Sequence, residues 1–399
     1  MTLVSQKSSI SSDRTYDFIM AGGGAAGLSL AYHLCHSTLS DSRILVVDRE
    51  RKSKNDRTWC FWGTGSPPFS EIAAYSWDSF LFYSSDYSAR IALSPYRYYM
   101  VKGSDFYRHV MSDLESRGNV DFHFGSISTI EDGDDFATVT ADETVYRGRY
   151  VFDSRLIPKE FRVDTDRYHF VKQHFRGWVI RAPRPIFDPA AATFFDFRTP
   201  QEGVMRFIYV LPHSPTEALV EYTLFSVDLL SKEEYETGIR SYIKDVLLLD
   251  SYEILEEEDG IIPMTDQPFP RRGGERIMLT GTKGGRVKAS TGFAFNRTQR
   301  DSRAIVRSLE ESGHPFDVPT APPRYETFDA MLIEILARRG HLGAPIFAQL
   351  FQNNPIHRLL RFLDEEGGVK ENLQLMASVP WAPFIGAWFA VRGRRGFKR

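Results

Sequence analysis

Gly22, Gly24 and Gly27 stand at G-x-G-x-x-G spacing directly after the apolar run 16–21, and Asp48 closes a second apolar run over 43–47. Glycines so spaced let the chain turn tightly, bring bare backbone up to a pyrophosphate, and pack the next helix close to the strand. A helix over 25–36 then aims the first N–H groups, around Ala25 and Ala26, and its positive dipole end at the phosphates. Asp48, about 20 residues on, is placed to accept hydrogen bonds from a ribose. The pattern fits NAD and FAD alike, and an ordinary glycine-rich turn is the alternative without a ligand.

A second glycine pair narrows the choice. The strand 276–280 runs into Gly281, and Gly292 opens a helix over 292–311. A return to the nucleotide fold in the C-terminal third is the layout of two-domain FAD enzymes. The helix beginning near Gly292 would then face the flavin ring and favour its anionic, reduced form. Lys283, Arg286 and Lys288 lie near enough to reach phosphate, with simple solvation as the competing reading.

The elements that position these residues follow from periodicity. Residues 80–83 and 89–93 predict a hairpin, 104–117 a helix with Phe106, Val110 and Leu114 on one face, and 120–124, 137–140 and 150–152 short strands. Asn55 to Gly65 reads as a loop. From 173 to 225 the pattern turns antiparallel, with strands over 177–180, 193–197, 205–211 and 218–225. A Ser-x-x-Glu start caps a helix over 231–248. Beyond the prolines at 319–323 the chain becomes a helical tail.

The expected architecture is α/β: a Rossmann-like FAD-binding domain over 15–155 and 260–312, an antiparallel β-sheet substrate domain over 156–259, and a helical C-terminal segment over 313–399. Residues 1–14 read as a disordered lead without a secretory pattern. The net charge of −3 gives no electrostatic case for nucleic acid. Cys35 and Cys60 show no metal-ligand spacing, so no metal is expected, and a reducing cytoplasmic setting fits. The chain holds 30 Phe, 18 Tyr and 6 Trp, enough to line an apolar cavity as well as to fill a core.

Eight short strings in order carry a family resemblance: Asn55-Asp56-Arg57-Thr58-Trp59-Cys60-Phe61-Trp62, Asp105-Phe106-Tyr107, Val151-Phe152-Asp153-Ser154-Arg155, Gln173-His174-Phe175-Arg176-Gly177-Trp178, Asp196-Phe197-Arg198, Val220-Glu221-Tyr222-Thr223, Ile262-Pro263-Met264-Thr265-Asp266 and Phe362-Leu363-Asp364-Glu365. Together, from about Tyr16 to Glu366, they resemble the bacterial lycopene β-cyclases. The resemblance implies a flavoprotein that needs FAD reduced, with NAD(P)H as external reductant. It converts the ψ ends of lycopene to β-ionone rings, giving β-carotene through γ-carotene, without net redox change. It also implies that Glu221 mediates the proton transfer and that Asp153 and Arg155 support the cofactor from the sheet edge, with a structural ion pair as the competing explanation for those two.

Alkene protonation requires a donor held against carbon in a dry site, because the cation has no lone pair to share its charge. Burial keeps a carboxyl protonated, and aromatic faces stabilise a cation by roughly 0.5–2 kcal/mol each. Tyr222 stands where many relatives carry a second acid, and strand alternation turns it away from Glu221. Gly281-Thr282 replaces the Gly-Asp pair of flavin monooxygenases. Asp364, Glu365 and Glu366 read either as a second carboxylate source or as a solvated helix end, and His174 and Trp178 as packing residues.

The apolar segment 375–391, broken by Pro380 and Pro383, is too short to span a bilayer, but Arg392, Arg394, Arg395, Lys398 and Arg399 follow it. Such a segment suits a membrane lipid surface, which makes the expected location cytoplasmic and peripheral on the membrane, with a core-packed last helix as the alternative. A flavin monooxygenase, a prenyl-lipid reductase and a non-catalytic carotenoid-binding flavoprotein remain the other functional readings. Oligomeric state stays open.

Overall fold

A computed structural model describes residues 15–396; the expected disordered lead, Lys398 and Arg399 fall outside the described residues. The chain begins β1 (Thr15–Ala21), α1 (Ala25–Cys35), β2 (Ile44–Asp48), β3 (Thr58–Thr64), β4 (Tyr75–Trp77), β5 (Ser79–Tyr83), β6 (Ser88–Ala92) and β7 (Tyr96–Lys102). It continues through α2 (Gly103–Glu115), β8 (Val120–Phe124), β9 (Ile127–Glu131), β10 (Ala137–Ala141), β11 (Thr144–Asp153), β12 (Phe170–Arg181), β13 (Ala191–Asp196), β14 (Met205–Pro212) and β15 (Glu217–Ser226). The last part holds α3 (Lys232–Asp245), β16 (Glu253–Thr265), β17 (Ile277–Leu279), α4 (Phe295–Ser312), α5 (Pro323–Arg338), α6 (Gly343–Asn353), α7 (Ile356–Leu363), α8 (Val369–Ala377) and α9 (Trp381–Arg395).

Three sheets form among the described residues. The first runs β8-β2-β1-β11-β10-β9, with β17 also on β11, and is parallel through β8, β2, β1, β11 and β17. Its central strands are apolar without alternation because both faces are covered. Leu28 and Leu34 of α1, Phe106 and Leu114 of α2 and Ile305 of α4 fill one face; Val139 and Tyr146 lie in the core on the other. The second sheet runs β16-β12-β15-β14-β13-β5-β6 and is antiparallel except where β13 meets β5. Helix α3, capped by Ser231 and Glu234 as the sequence predicts, covers one face. Helices α5–α9 and the small sheet β3-β7-β4 cover the other.

Several expectations change. Asn55 to Gly65 is not all loop, since Thr58–Thr64 is a strand paired antiparallel with β7. Its aromatic run suits a pleated surface, and the flanking Asn, Asp and Gly residues masked it. The second sheet does not coincide with residues 156–259, because it takes in β5 and β6 while β16 runs on to Thr265. The outward face of β16 is acidic, so its alternation has little apolar signal. Helix α4 starts at Phe295 instead of Gly292. The helical tail is no appendage: Ile333, Phe347, Phe351 and Leu360 share one core with Phe194 and Phe207 of the second sheet.

Candidate functional site

At the end of β1, Gly22 adopts φ +115°, and a Cβ on Gly27 would lie 1.9 Å from the Gly22 carbonyl oxygen, so only glycine fits. Gly24, with nothing within 4 Å of where its Cβ would be, is the extended N-cap of α1 and offers no side-chain cap. The N–H groups of the first turn, around Ala25 and Ala26, are therefore left for an anion. Asp48 braces this turn, its Oδ2 accepting the Gly23 N–H at 2.6 Å, while its Oδ1 faces Lys52 at 3.7 Å. Gly281, at φ +58°, brings the second turn onto α1: a Cβ there would sit 2.8 Å from Ala26 Cβ. The two glycine turns, far apart in sequence, meet at one place.

Around this cradle the charges are paired within the protein. Asp153 accepts from Arg155 Nε at 2.9 Å and from Lys283 Nζ at 2.5 Å. Burial alone would raise its pKa, but these two cations hold it below the usual carboxylate range. Asp153 thus takes part in an ion pair at the end of β11, beside the cradle. Lys288 is neither solvated nor turned to phosphate: it is fully buried, 2.7 Å from Asp329 and 3.1 Å from Glu365. Arg286 is lowered to about 10 by burial, with Asp301 3.6 Å away.

Gly292, at φ +75°, carries the cradle toward the second sheet. A Cβ there would lie 2.1 Å from Gln173 Oε1 on β12. That oxygen is buried and has no hydrogen-bond partner among the described residues. Four residues further along β12, about 13 Å at strand rise, lies Gly177.

At Gly177 a row of paired residues crosses the sheet. Tyr209 on β14 pairs with Glu221 on β15, Glu221 with Gly177, and Gly177 with Glu258 on β16. All four lie on the face toward α5–α9, where Leu219 and Phe225 enter the core on either side of Glu221 along β15. A Cβ on Gly177 would approach Leu219 Cδ1 at 2.9 Å and Glu221 Cβ at 3.3 Å. The empty place at Gly177 leaves the Glu221 and Glu258 carboxyl groups free to face each other along the rung, where each bears on the other's ionisation. Thr223 Oγ1 donates to Glu221 at 2.6 Å, and Thr58 Oγ1 to Glu258 at 2.8 Å.

Burial, then the charge of Glu258, pushes the Glu221 carboxyl well above its ordinary pKa, overriding the Thr223 hydroxyl. Glu258 is also raised, by burial first. The pair therefore resists losing its last proton, with both carboxyl groups pushed above the ordinary range. Glu258 escaped the sequence reading because it sits inside the run Glu256-Glu257-Glu258-Asp259; the glycine inside a strand, Gly177, was the available signal.

Tyr222 turns to the opposite face, as alternation requires, where its hydroxyl accepts from Arg206 at 3.1 Å. His174 and Trp178 lie there too. His174 is fully buried between Tyr235 and Ser226, and burial lowers its pKa to about 4. On the site face, Phe293, next to Gly292, meets Trp62 edge-on at 4.8 Å and stacks on Phe194 at 6.1 Å. Phe207 lies edge-on to Tyr209 at 5.0 Å. Rings thus extend from the Gly292 turn toward the acid row.

Within the string 362–366, Asp364 and Glu365 are no solvated helix end, whereas Glu366 is exposed beside Arg300. Trp62 Nε1 donates to Asp364 Oδ2 at 2.6 Å, Arg300 lies 3.1 Å from its other oxygen, and burial raises Asp364 to about 6. Glu365 joins Lys288 and Arg297, which hold it below its ordinary pKa despite burial.

A parallel sheet with a glycine cradle, joined to an antiparallel sheet with a buried acid, is the architecture of two-domain flavoproteins. The fold is similar to a geranylgeranyl bacteriochlorophyll reductase-like protein of Thermoplasma acidophilum (TM-score 0.60, 12% identity, 95% of this chain and 100% of that one). It is also similar to a flavoprotein/dehydrogenase of Cytophaga hutchinsonii (0.60, 13%, 95% and 99%) and to the flavin-dependent brominase Bmp2 (0.59, 14%, 91% and 98%). These likenesses define a flavoprotein fold. Within that class, the sequence model of the lycopene cyclase protein family matches residues 17–387, and the chain belongs to that family. No curated protein matches it in sequence.

Proposed function

We propose that the chain is a lycopene β-cyclase that closes the ψ ends of lycopene, giving β-carotene through γ-carotene. The observation that carries this reading is Glu221: a carboxyl group buried on a sheet face rich in aromatic rings, its pKa raised by burial and then by Glu258. Glu221 gives its proton to the terminal double bond of the substrate, leaving a tertiary cation. The next double bond attacks that cation, the ring closes, and a proton leaves the adjacent ring carbon. Tyr209 and the neighbouring Phe rings face the charge without adding to it. The packed interior excludes water that would trap the cation.

FAD fits the cradle. The space open at Gly24, the contact that forbids a side chain at Gly27 and the unpartnered Gln173 oxygen beside Gly292 suit a long dinucleotide ending at the second sheet. Gly22, Gly24, Ala25, Ala26 and Gly27 would hold its pyrophosphate and Asp48 its ribose, with the Gly281 and Gly292 turns alongside. Bound in its reduced form, maintained by external NAD(P)H, it supplies negative charge near the substrate cation.

The substrate is insoluble in water, so the chain must meet it at a lipid surface. Trp381, Ile385 and Phe389 of α9 are exposed, beside an apolar groove of about 520 Å³ lined by Phe328, Met376 and Trp388. No helix among the described residues is long and apolar enough to cross a membrane alone, and α8 and α9 meet at a bend of 114°. The opposite side of α9 is tied down: Arg395 pairs with Asp266 at 2.5 Å, and Arg394 donates to the Thr165 carbonyl at 3.1 Å. Two of the arginines expected to meet lipid therefore hold the helix, leaving Arg392 exposed. This supports peripheral attachment through α9.

Pigment analysis in cells that accumulate lycopene tests the reading. Cyclic product is expected with the chain as it stands, and acyclic lycopene with Glu221→Gln. A saturated or oxygenated product would instead favour a reductase or monooxygenase on the same fold, and unchanged lycopene with the native chain a non-catalytic binder.

A further inference from the structure

We propose that Glu258 is a positioning partner of Glu221, and that the two carboxyl groups, meeting across Gly177, work as one acid–base unit that lends a single proton and takes it back. The inference rests on the cyclase reading and adds to it the residue that governs the acid.

Three geometric facts carry it. Glu221 and Glu258 occupy the same rung of the sheet, on the strands flanking β12, with glycine as the only residue between them. Each carboxyl receives one hydroxyl, from Thr223 and from Thr58, which anchors both groups on the same side of the rung. Glu221 is buried on an inner strand, whereas Glu258 is half-buried on the edge strand β16. On the cyclase reading Glu221, the more deeply buried of the two, is the member that meets the substrate.

The groups around the pair leave it without a cation of its own. Tyr209 on β14, Tyr98 on β7 and Cys60 on β3 are held neutral by burial, their pKa values raised. Glu256 on β16 adds negative charge beside Glu258, and Lys102 on β7, 3.4 Å from Glu256, offsets it. Two carboxylates facing each other here cannot both stay ionised, so one proton remains between them.

The proton balance closes. Glu221 transfers its proton to the terminal alkene carbon, a C–H bond forms, and the pair is left with two negative charges. After ring closure the adjacent carbon loses a proton, its C–H electrons become the ring double bond, and the proton returns to Glu221. The second charge, on Glu258, makes the pair a stronger base at that moment than a lone carboxylate. No oxidant, reductant or net proton is consumed.

Glu258→Gln keeps the volume and removes the charge. Its cyclisation rate is expected to fall off toward alkaline pH about one unit or more earlier than in the native chain, because Glu221 gives up its proton more readily. A loss of activity equal at every pH, or an unmoved alkaline limb, would overturn the proposal. Infrared titration of the carboxylic-acid stretch in substrate-free protein is the second measurement. A band absent in Glu221→Gln and titrating earlier in Glu258→Gln supports the pair; a band insensitive to Glu258→Gln refutes it. Should the native chain form no ring, the function reading falls, and the infrared titration still decides whether the pair exists.

Discussion

Gly177 lies directly across the sheet from Glu221, and the absent side chain at Gly177 is what keeps the acid in reach of its partner on the far strand. A side chain there would meet Leu219 and Glu221 at once. Gly177→Val is expected to destabilise the fold by about 1–3 kcal/mol through overpacking. It should also return the Glu221 acid stretch toward an isolated buried carboxyl. Urea unfolding followed by infrared spectroscopy checks both; a variant with native stability and a native band would contradict the row described above.

Asp364 gives a pH-dependent stability. Its folded pKa, raised to about 6 from 3.8, means the native state binds the proton more tightly than the unfolded chain does. Its contribution is therefore fully present below the unfolded value and is lost as pH rises from about 4 to about 6. The loss amounts to roughly 2–3 kcal/mol. Asp364→Asn should flatten that part of the stability curve while keeping an acceptor for Trp62. Denaturant midpoints from pH 4 to 7, native against variant, provide the comparison.

The cradle predicts loss of cofactor from one methyl group. Gly27→Ala places a carbon against the Gly22 carbonyl, a contact that moves backbone and not a flexible side chain. Purified Gly27→Ala protein is expected to lose most of its bound flavin absorbance, with the second sheet still folded. Flavin retained at the native level would remove these glycines from the cofactor site.

For attachment to lipid, Trp381→Ser, Ile385→Ser and Phe389→Ser together change exposed positions on α9 and leave its buried Ala387 and Val391 alone. Flotation with anionic liposomes should show most of the native chain rising and most of the triple variant staying behind. Equal flotation would take α9 out of the lipid contact.

Much of this architecture was legible because periodicity and glycine spacing are local. β1, α1 and β2 announce themselves through an unbroken apolar run, three glycines and an acid. The Ser231–Glu234 cap needed only its four-residue spacing. What stayed hidden depends on partners distant in sequence. Lys288 reads as a surface cation until α5 brings Asp329 against it, and Asp364 reads as a helix end until β3 supplies Trp62. Glu258 lies in an acidic run whose other members face solvent, and only the pairing of β16 with β12 selects it.

Glu221 is fixed to one rung of one sheet, and that has an outcome for a substrate with two identical ends. On the proposed reading the ends are served in succession, and the half-finished molecule must reverse direction before its other terminus can be reached. The proportion of singly to doubly closed pigment would then measure a contest between turning round and escaping into lipid, set by how firmly the protein grips a chain whose reactive end has already been used.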